Sequence, residues 1–353
     1  MNNLLFSIAV LSYNNCDYLF DCLKSILEQD YERIELLVSD DSSKSFEKEL
    51  ISDFIQKNKK ANIERYSVWH QPINLGTVAH AEFCRHNAKG DLLYLIAADD
   101  VLANSHVVSR FCIAANAAQY NIAAISGQVM MCNLDLSYKG YNWASKLYVD
   151  IIRSNDSSLM FSKLSHRSFI PTTGTCYKMS FLNDIGGFDK SYKLIEDVPT
   201  FAKAMRKGFR ICWIDKVIIA RHRDGGLVHK EPNNYDEVYR TYLRDRLFVF
   251  KIEFFPYIAQ IHESDIEIML RRWYWYRSSY ERAHCSGITK KVLTRIRHNT
   301  LAVIIYSVCI RGENTVRFSS LKAFADLATK HIKLSCQNYR ASLVRILKKL
   351  RGE

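Results

Sequence analysis

The 353-residue sequence predicts an α/β fold in which helices flank a mostly parallel sheet, followed by a helical C-terminal region. Three observations support this fold class. Short apolar runs alternate with segments of helical periodicity through the first hundred residues. Acidic residues follow these apolar runs, and Pro and Gly become rare beyond residue 235. Strands that alternate with helices are typical of a parallel sheet covered on both faces.

The first apolar run, residues 7–11, predicts a buried strand. It lacks the basic leader and small-residue cleavage site of a signal peptide. A helix is predicted over residues 18–27, where Leu19, Cys22, Leu23 and Ile26 repeat at helical spacing. The other predicted elements are strands at 35–38, 65–69 and 92–96, helices at 46–57 and 77–88, a strand within 121–131, a loop and strand within 170–178, a turn at 185–188, a helix from 196 to about 207 and a strand at 210–214.

The formal net charge of +12 is concentrated in the last third of the chain. Residues 240–353 contain 22 Lys and Arg against 9 Asp and Glu, whereas the residues before them contain 27 and 28. With 48% hydrophobic and 24% charged residues, the composition is that of a globular protein and not of a disordered chain. The longest apolar run after the first strand, residues 301–310, is too short to span a bilayer. We therefore predict a catalytic domain at 1–235 and a basic, aromatic-rich helical region at 236–353.

The ten cysteines occur singly, without a C-x-x-C pair or a His at zinc-finger spacing. This pattern favours reduced thiols over a disulfide framework or a structural zinc site. A cytoplasmic location is therefore expected.

Polar residues follow three of the predicted strands. They are Ser12-Tyr13-Asn14, then Asp40-Asp41-Ser42-Ser43, then Asp99-Asp100. The carboxyl ends of parallel strands meet at one edge of a sheet, which is where ligands bind in such folds. A single acidic strand end is equally explained as a helix N-cap. Two Asp-Asp pairs point instead to a bound cation, because adjacent carboxylates repel each other.

The order of the motifs resembles family 2 glycosyltransferases of the GT-A fold. The motifs are SxAVLSYNNxxYLxxCLxSILxQxY at 7–31, IELLVSDDSS at 34–43, NLG at 74–76, AKGDLLYLIAADD at 88–100, GGFD at 186–189 and ED at 196–197. The resemblance covers about residues 5–230. It implies a Rossmann-like nucleotide-binding half and inverting transfer of one sugar from a nucleotide-diphosphate sugar, a UDP-sugar being favoured. The implied acceptor is a hydroxyl of a growing, lipid-linked glycan, such as a bacterial O-antigen or capsule.

The resemblance also implies a site for Mn²⁺ or Mg²⁺. Asp100 would bind the metal directly, and Asp99 would contact either the metal or the ribose hydroxyls. Such a cation stabilises the charge that develops on a diphosphate leaving group. The family usually has Asp-x-Asp-Asp here, but Ala97 occupies the first position, so fewer carboxylates are available. His222 would complete the metal shell, although a lone His is more often an ordinary surface or core residue.

The nucleotide would bind at the end of the first two strands. Tyr13 and Asp41 resemble the family's nucleobase contacts, with Ser12 and Asn14 beside them in the donor pocket. Ser12 replaces a Pro that is usual in the family, which removes a rigid turn. For Asn14 and Asp40, stabilisation of a turn is an equally good explanation.

The catalytic base implied by the resemblance is Asp197, with Glu196 as the alternative. Inverting transfer needs such a base to remove the proton of the acceptor hydroxyl. At the start of a helix both residues could instead serve only as capping and dipole partners. The sugar and acceptor cleft is predicted at Thr172, Thr173 and Gly174.

The C-terminal region combines helical periodicity with basic and aromatic clusters, most densely at 271–277. The amphipathic pattern at 339–350 predicts a helix that lies on an anionic membrane, so the expected location is peripheral on the inner face of the cell membrane. The alternative is a helical subdomain with solvated charges. No nucleic-acid partner is expected, because no binding motif accompanies the charge. Met269 replaces the Gln of the processive Gln-x-x-Arg-Trp motif, which favours a non-processive enzyme.

Two other functions stay open at this point. A sugar nucleotidyltransferase would also be an α/β protein that uses a divalent cation, but such enzymes resemble one another in a Gly-rich N-terminal phosphate loop, where this chain has Ser-Tyr-Asn-Asn. A non-catalytic protein that binds membranes or nucleic acid would show salt-sensitive binding and no turnover of nucleotide sugars.

Overall fold

The computed structural model describes residues 3–118, 121–223 and 237–284. The chain divides into two compact units, Met1–Asn234 and Tyr235–Glu353. The first unit is an α/β fold with one sheet flanked by helices, which confirms the predicted fold class. The assignment of catalysis to the first unit stays a proposal.

The described residues of the first unit form a sheet of nine strands. They are β1 (Phe6–Ser12), β2 (Ile34–Asp40), β3 (Ile63–His70), β4 (Leu92–Ala97), β5 (Val101–Leu102), β6 (Ile122–Cys132), β7 (Tyr138–Asn142), β8 (Thr175–Lys178) and β9 (Arg210–Arg223). Their order is β3-β2-β1-β4-β8-β6-β9-β5, and β7 pairs with β6. The first four strands are mutually parallel, β8 is antiparallel to β4 and β6, and β9 is parallel to β6.

The helices of the first unit are α1 (Leu19–Leu27), α2 (Lys48–Asn58), α3 (Thr77–Asn87), α4 (Val107–Ala117), α5 (Lys146–Arg153), α6 (Ser157–Leu164), α7 (Met179–Asp184) and α8 (Asp197–Arg206). The buried residues of α1 recur at the helical spacing seen in the sequence. Short 3₁₀ turns occur at Cys16–Tyr18 and Thr172–Gly174. The helices α4 to α7 and the strands β5 and β7 were not among the predicted elements, and β9 is longer than expected.

The core lies between the parallel half of the sheet and the helices that cover it. The side chains of β2 are buried along its whole length, as the central position of that strand requires. Phe111 of α4 stacks on Phe6 of β1, with 5.9 Å between ring centroids, and lies 5.6 Å from the ring of Tyr94. The seven cysteines within the described residues form no disulfide.

The register of the parallel strands brings the predicted polar strand ends together. Ser12 at the end of β1 pairs with Asp40 at the end of β2. Leu11 pairs with Ala97, the last residue of β4. The segments that follow these three strands therefore leave the sheet at one edge, as the sequence predicts.

The Gly186-Gly187 turn ends α7 against α3. Gly187 has a left-handed φ of +83°, and its N–H donates to the carbonyl of Leu182 at 2.8 Å, as in a glycine helix cap. A Cβ at Gly187 would lie 2.5 Å from Oε2 of Glu82. The same carboxylate oxygen accepts a hydrogen bond from the N–H of Phe188 at 2.9 Å. The turn is thus tied to α3 by a contact that only a glycine allows.

The described part of the second unit contains α9 (Glu237–Val249) and α10 (Glu263–His284), joined by a π-helical turn at Phe250–Phe254 and a 3₁₀ turn at Phe255–Gln260. Within the basic cluster of α10, Trp273 and Tyr276 are buried and Trp275 is exposed. The rings of Tyr242 and Phe250 contact Tyr276, which is typical of a helical subdomain. The predicted membrane-binding helix at 339–350 lies outside the described residues. Across 3–118, 121–223 and 237–284, no helix has the length and apolar character needed to cross a bilayer.

Candidate active site

The loop after β1 presents an exposed tyrosine ring. Tyr13 is 52% exposed, and its N–H donates to Oδ1 of Asn15 at 3.1 Å. The N–H of Asn14, which has a left-handed φ of +54°, donates to Oγ of Ser43 at 2.7 Å. Ser12 is buried, and its hydroxyl donates to Asn15 Oδ1 at 3.2 Å. These bonds hold the loop, so that the ring of Tyr13 is available to stack on a planar ligand.

The two aspartates after β2 are buried and anchor neighbouring loops. The carboxylate of Asp41 accepts from the N–H of Leu75 at 2.7 Å and of Gly76 at 3.0 Å, which fixes the Asn-Leu-Gly segment. Asp40 accepts from the N–H and hydroxyl of Ser43 at 2.7 and 2.6 Å. Turn stabilisation therefore accounts for Asp40. The nucleobase contact of Asp41 stays a prediction, and it would have to use the carboxylate lone pairs that these bonds leave available.

Asp99 and Asp100 follow β4 and meet His222 of β9. Nδ1 of His222 lies 2.9 and 3.0 Å from the two carboxylate oxygens of Asp100, and the N–H of Arg223 donates to Asp100 Oδ1 at 3.1 Å. Asp100 is buried, whereas Asp99 is half-buried. Strand pairing explains this meeting, because Val101 of β5 pairs with Arg221 of β9. Three predicted metal-site residues are thus neighbours.

Arg223 stabilises the Asp99-Asp100 turn through hydrogen bonds. Its guanidinium donates to the carbonyls of Asp99 at 2.6 Å and Leu134 at 2.9 Å, and to Oδ2 of Asp21 at 2.6 Å. The guanidinium carbon also lies 4.6 Å from the centroid of the Tyr18 ring. A buried Arg with these partners is a rigid support for the turn.

The chemistry of the two aspartates fits a divalent cation that a substrate helps to bind. Burial raises the pKa of Asp99, and the adjacent charge of Asp100 raises it further, so a cation here would offset a repulsion that the fold imposes. In the described part of the chain, no three or more His, Cys, Asp and Glu side chains cluster so as to hold a metal by themselves. Mg²⁺ in proteins is commonly held by one or two carboxylates together with substrate phosphates and water. The residues present match such a partial shell.

Asp197, the predicted base, begins α8. Its Oδ2 accepts a hydrogen bond from Oγ1 of Thr172 at 2.8 Å, and its Oδ1 accepts from the N–H of Val198 at 2.7 Å. The structure thus brings together two residues that the sequence assigned separately to the base and the acceptor cleft. The second hydrogen bond satisfies a free N–H in the first turn of α8, whereas the N-cap residue Glu196 makes no side-chain capping bond.

The surroundings of Glu196, the alternative base, favour its protonated form. Burial raises the pKa of Glu196 to about 8, and the neighbouring charge of Asp197 adds to the increase. Glu196 is therefore largely neutral at neutral pH and a poor proton acceptor there. Burial raises the pKa of Tyr177, and the carboxyl groups of Glu196 and Asp197 raise it further. The hydroxyl of Tyr177 has no hydrogen-bond partner among the described residues. The raised pKa of Glu196 argues against Glu196 as the base, and Asp197 stays the predicted one.

A change of Glu196 to Gln should flatten the dependence of stability on pH. Because the pKa of folded Glu196 lies above its ordinary value of 4.5, the folded protein keeps a proton that the unfolded chain releases between about pH 4.5 and pH 8. The free energy of unfolding therefore falls as the pH rises through this window. Melting temperatures measured at about pH 5 and about pH 8.5 should differ less in Glu196→Gln than in the wild type. The exposed control Glu49→Gln should keep the wild-type difference, and an unchanged slope in Glu196→Gln would rule out the raised pKa.

A tyrosine on β4 connects the two halves of the site. The hydroxyl of Tyr94 donates to the carbonyl of Thr173 at 2.5 Å, and β4 leads directly into Asp99-Asp100. Gly174 cannot carry a side chain, because a Cβ would lie 2.5 Å from the carbonyl oxygen of Gly127. The Thr172–Gly174 turn is therefore held against both β4 and β6.

The residues that sequence reasoning missed are Tyr94 and Tyr177. Tyr94 and Tyr177 interrupt apolar strands with a polar group, a pattern that indicates a buried hydrogen-bonding role but does not identify the partner. Arg223 lies beside the predicted His222, and only the fold shows that it is buried.

Comparison with curated proteins finds glycosyltransferases. The chain is 28% identical over 162 residues to a Haemophilus influenzae protein named as an uncharacterized glycosyltransferase, a match that covers 45% of this chain and 62% of the relative. It is 31% identical over 108 residues to glycosyltransferase GlyG of Streptococcus pneumoniae, covering 30% and 34% of the two chains. The matches thus span less than two thirds of either relative.

Solved structures share the fold. TarS 1–349 of S. aureus, solved with UDP-GlcNAc, superposes with a TM-score of 0.57 at 15% identity, covering 85% of this chain and 81% of that chain. The mannosyltransferase PcManGT of Pyrobaculum calidifontis, solved with GDP-Man and Mn²⁺, gives a TM-score of 0.51 at 12% identity, covering 95% and 87%. The sequence matches the family described as Glycosyl transferase family 2 over residues 7–186. Because this match spans more than half of the chain, the protein belongs to glycosyl transferase family 2.

Proposed function

We propose that this protein transfers one sugar, with inversion, from a nucleotide-diphosphate sugar to a hydroxyl group of a glycan. One observation carries the proposal beyond family membership. A carboxylate pair follows β4, and a separate carboxylate, Asp197, begins α8. The Thr172–Gly174 turn connects them, because Thr173 accepts from Tyr94 of β4 and Thr172 donates to Asp197. Such a transfer needs these two functions, stabilisation of the leaving diphosphate and removal of the acceptor proton.

The donor would bind at the carboxyl edge of β1 and β2. The exposed ring of Tyr13 would stack on the nucleobase, while Ser12, Asn14 and Asp41 shape the pocket around it. A UDP-sugar is the proposed donor. TarS was solved with UDP-GlcNAc and the Pyrobaculum enzyme with GDP-Man, so the shared fold is compatible with more than one nucleotide.

Asp99 and Asp100 would hold Mn²⁺ or Mg²⁺, and His222 would complete the metal shell. A divalent cation supplies charge stabilisation to a departing diphosphate. The chain's own contribution is to keep both carboxylates in place, through the contacts of His222 and Arg223 with Asp100 and Asp99. Because Ala97 removes one carboxylate that the family usually has, weak binding of the ion without donor is expected.

Asp197 would accept the proton of the acceptor hydroxyl as that oxygen forms its bond to the anomeric carbon. The bond between the anomeric carbon and the diphosphate oxygen breaks at the same time on the opposite face, and the nucleoside diphosphate leaves. Thr172 positions the carboxylate of Asp197, and Thr173 and Gly174 form the adjoining wall of the cleft. Glu196, largely neutral, leaves this role to Asp197.

The proposed acceptor is a lipid-linked glycan of a bacterial surface polysaccharide, and the proposed enzyme is non-processive and works at the inner face of the cell membrane. The basic charge of residues 240–353 supports attraction to anionic lipid. Removal of the residues after 235 tests this placement by fractionation, since the membrane proposal expects release into the soluble fraction.

A panel of nucleotide sugars tests the proposed chemistry. Release of nucleoside diphosphate should occur with one donor class, and it should increase with Mn²⁺ or Mg²⁺ and stop with a chelator. Asp100→Asn should lower turnover by about 10²-fold or more, because it removes a carboxylate at the diphosphate. The exposed aspartate of α2 gives the control Asp53→Asn, which should behave as the wild type. Absence of turnover and of thermal stabilisation with every donor and metal would overturn the proposed function.

A further inference from the structure

A pocket of about 420 Å³ lies where α4 begins and β9 bends, at the β5–β9 side of the sheet. Arg110, Lys216 and Arg221 contribute its charged lining, His106 lies beside them, and Met130 and Ile218 contribute apolar surface. None of the residues assigned above to the donor, the metal or the acceptor cleft lines it. We call it the cationic pocket.

The Arg and Lys charges of the cationic pocket are not neutralised by the described residues. No described residue forms a hydrogen bond or ion pair with the side chains of Arg110, Lys216 or Arg221, and no carboxylate lines the pocket. Two described acids, one beside Lys216 in the sequence and one bonded to His106, already have partners. Asp215 accepts from Nε of Arg153 at 2.9 Å, and Asp30 lies 2.5 Å from Nδ1 of His106. Converging cations of this kind attract an anion and gain stability from it.

The backbone of β9 is irregular where it lines this pocket. Lys216 has a left-handed φ of +56°, a conformation that is unfavourable for a residue with a side chain. The pairing of β9 with β6 is irregular at the same place, between Gly127 and Gln128. Backbone strain of this kind is concentrated at ligand clamps and other functional positions. The bend is what allows Lys216 to join Arg110 and Arg221 at one cavity.

The chemistry of the lining selects a phosphoryl group. Arg guanidinium groups bind phosphate oxygens through paired hydrogen bonds, and Lys adds a compact charge. The apolar surface of Met130 and Ile218 suits a ligand whose phosphate is carried on a hydrocarbon chain. We propose that the cationic pocket binds the phosphate or diphosphate group of a small ligand, at a site separate from the sugar donor.

Isothermal titration of the full-length chain tests the proposal with two probes. One is dihexanoyl phosphatidic acid at concentrations where it is monomeric, and the other is inorganic pyrophosphate. A chelator is present throughout, so that no metal at Asp99 and Asp100 contributes to binding. The wild type should bind, and the double variant Arg110→Gln with Lys216→Gln should bind at least about tenfold more weakly. Tighter binding of the lipid would assign the site to a phosphate on an apolar chain, and tighter binding of pyrophosphate to a water-soluble phosphate.

The matched control is Lys57→Gln with Lys60→Gln, which removes the same charge from the exposed α2 side of the unit. It should keep wild-type affinity for both probes. Equal weakening in the double variant and the control would show that only the overall field of the protein attracts the anion, and it would overturn the proposal. Failure of the wild type to bind either probe would also overturn it. Neither result depends on glycosyl transfer, because binding is measured without a sugar donor.

Discussion

Replacement of Asp197 by Asn should lower the rate of sugar transfer by about 10³-fold or more and leave donor binding unchanged. The amide keeps the shape of the side chain and can still accept from Thr172, but it does not take up a proton at neutral pH. The donor lies at the carboxyl edge of β1 and β2 in the proposed arrangement, so its dissociation constant should be that of the wild type. Single-turnover rates and donor titrations, made on the same preparation, separate the two effects.

Asp184→Asn is the matched control for this change. Asp184 is an exposed residue of α7 that lies 2.9 Å from Nζ of Lys207, so the same chemical substitution there removes only a surface ion pair. Turnover of the control should equal that of the wild type. If Asp197→Asn turned over normally while Glu196→Gln did not, the base would be Glu196, and the raised pKa of Glu196 would have to fall when substrate binds.

Sequence patterns identify the parallel half of the sheet because its signals are local. The spacing of Leu19, Cys22, Leu23 and Ile26 is enough to define α1, and the apolar runs of β1 and β4 define strands that are buried on both faces. In parallel sheets ligands bind at the carboxyl ends of the strands, so the position of Asp99 and Asp100 just after a strand predicts that they lie at the ligand-binding edge. This prediction needs no knowledge of tertiary contacts.

The segment between α4 and α7 lacks such clear signals. Most side chains of β7 are exposed, so this strand shows no apolar alternation, and α6 has only eight residues. The capping contact of Asp156 with the N–H groups of Ser158 and Leu159 is a local signal that could have located the start of α6. The contacts between site residues, in contrast, join residues that are far apart in the sequence. Arg223 and Asp99 are 124 residues apart, and no pattern within one segment reports such a pair.

Replacement of Arg223 by Met should be the most damaging single change away from the reacting groups. The carbonyls of Asp99 and Leu134 would lose their charged donor, and a hydrogen bond to a charged group contributes about 1.5–3 kcal/mol. A fall in melting temperature of about 5–10 °C is expected for a unit of this size. The dissociation constant for the nucleotide sugar should rise about 10- to 100-fold, because the turn that carries both aspartates loses its support.

Arg153→Met separates this effect from the loss of any arginine. Arg153 is about half exposed and pairs with Asp215 at the surface, so its removal should change the free energy of unfolding by less than about 1 kcal/mol. Arg223→Lys refines the test, because Lys keeps the charge but cannot reach the two carbonyls and Asp21 together through a planar fork. If Arg223 acts only through charge, Arg223→Lys should restore donor binding. If Arg223 acts by holding the turn, donor binding should stay weak in Arg223→Lys. We expect this second result, because the partners at Asp99 and Leu134 are backbone carbonyls, and hydrogen bonds to carbonyls depend on geometry more than on charge.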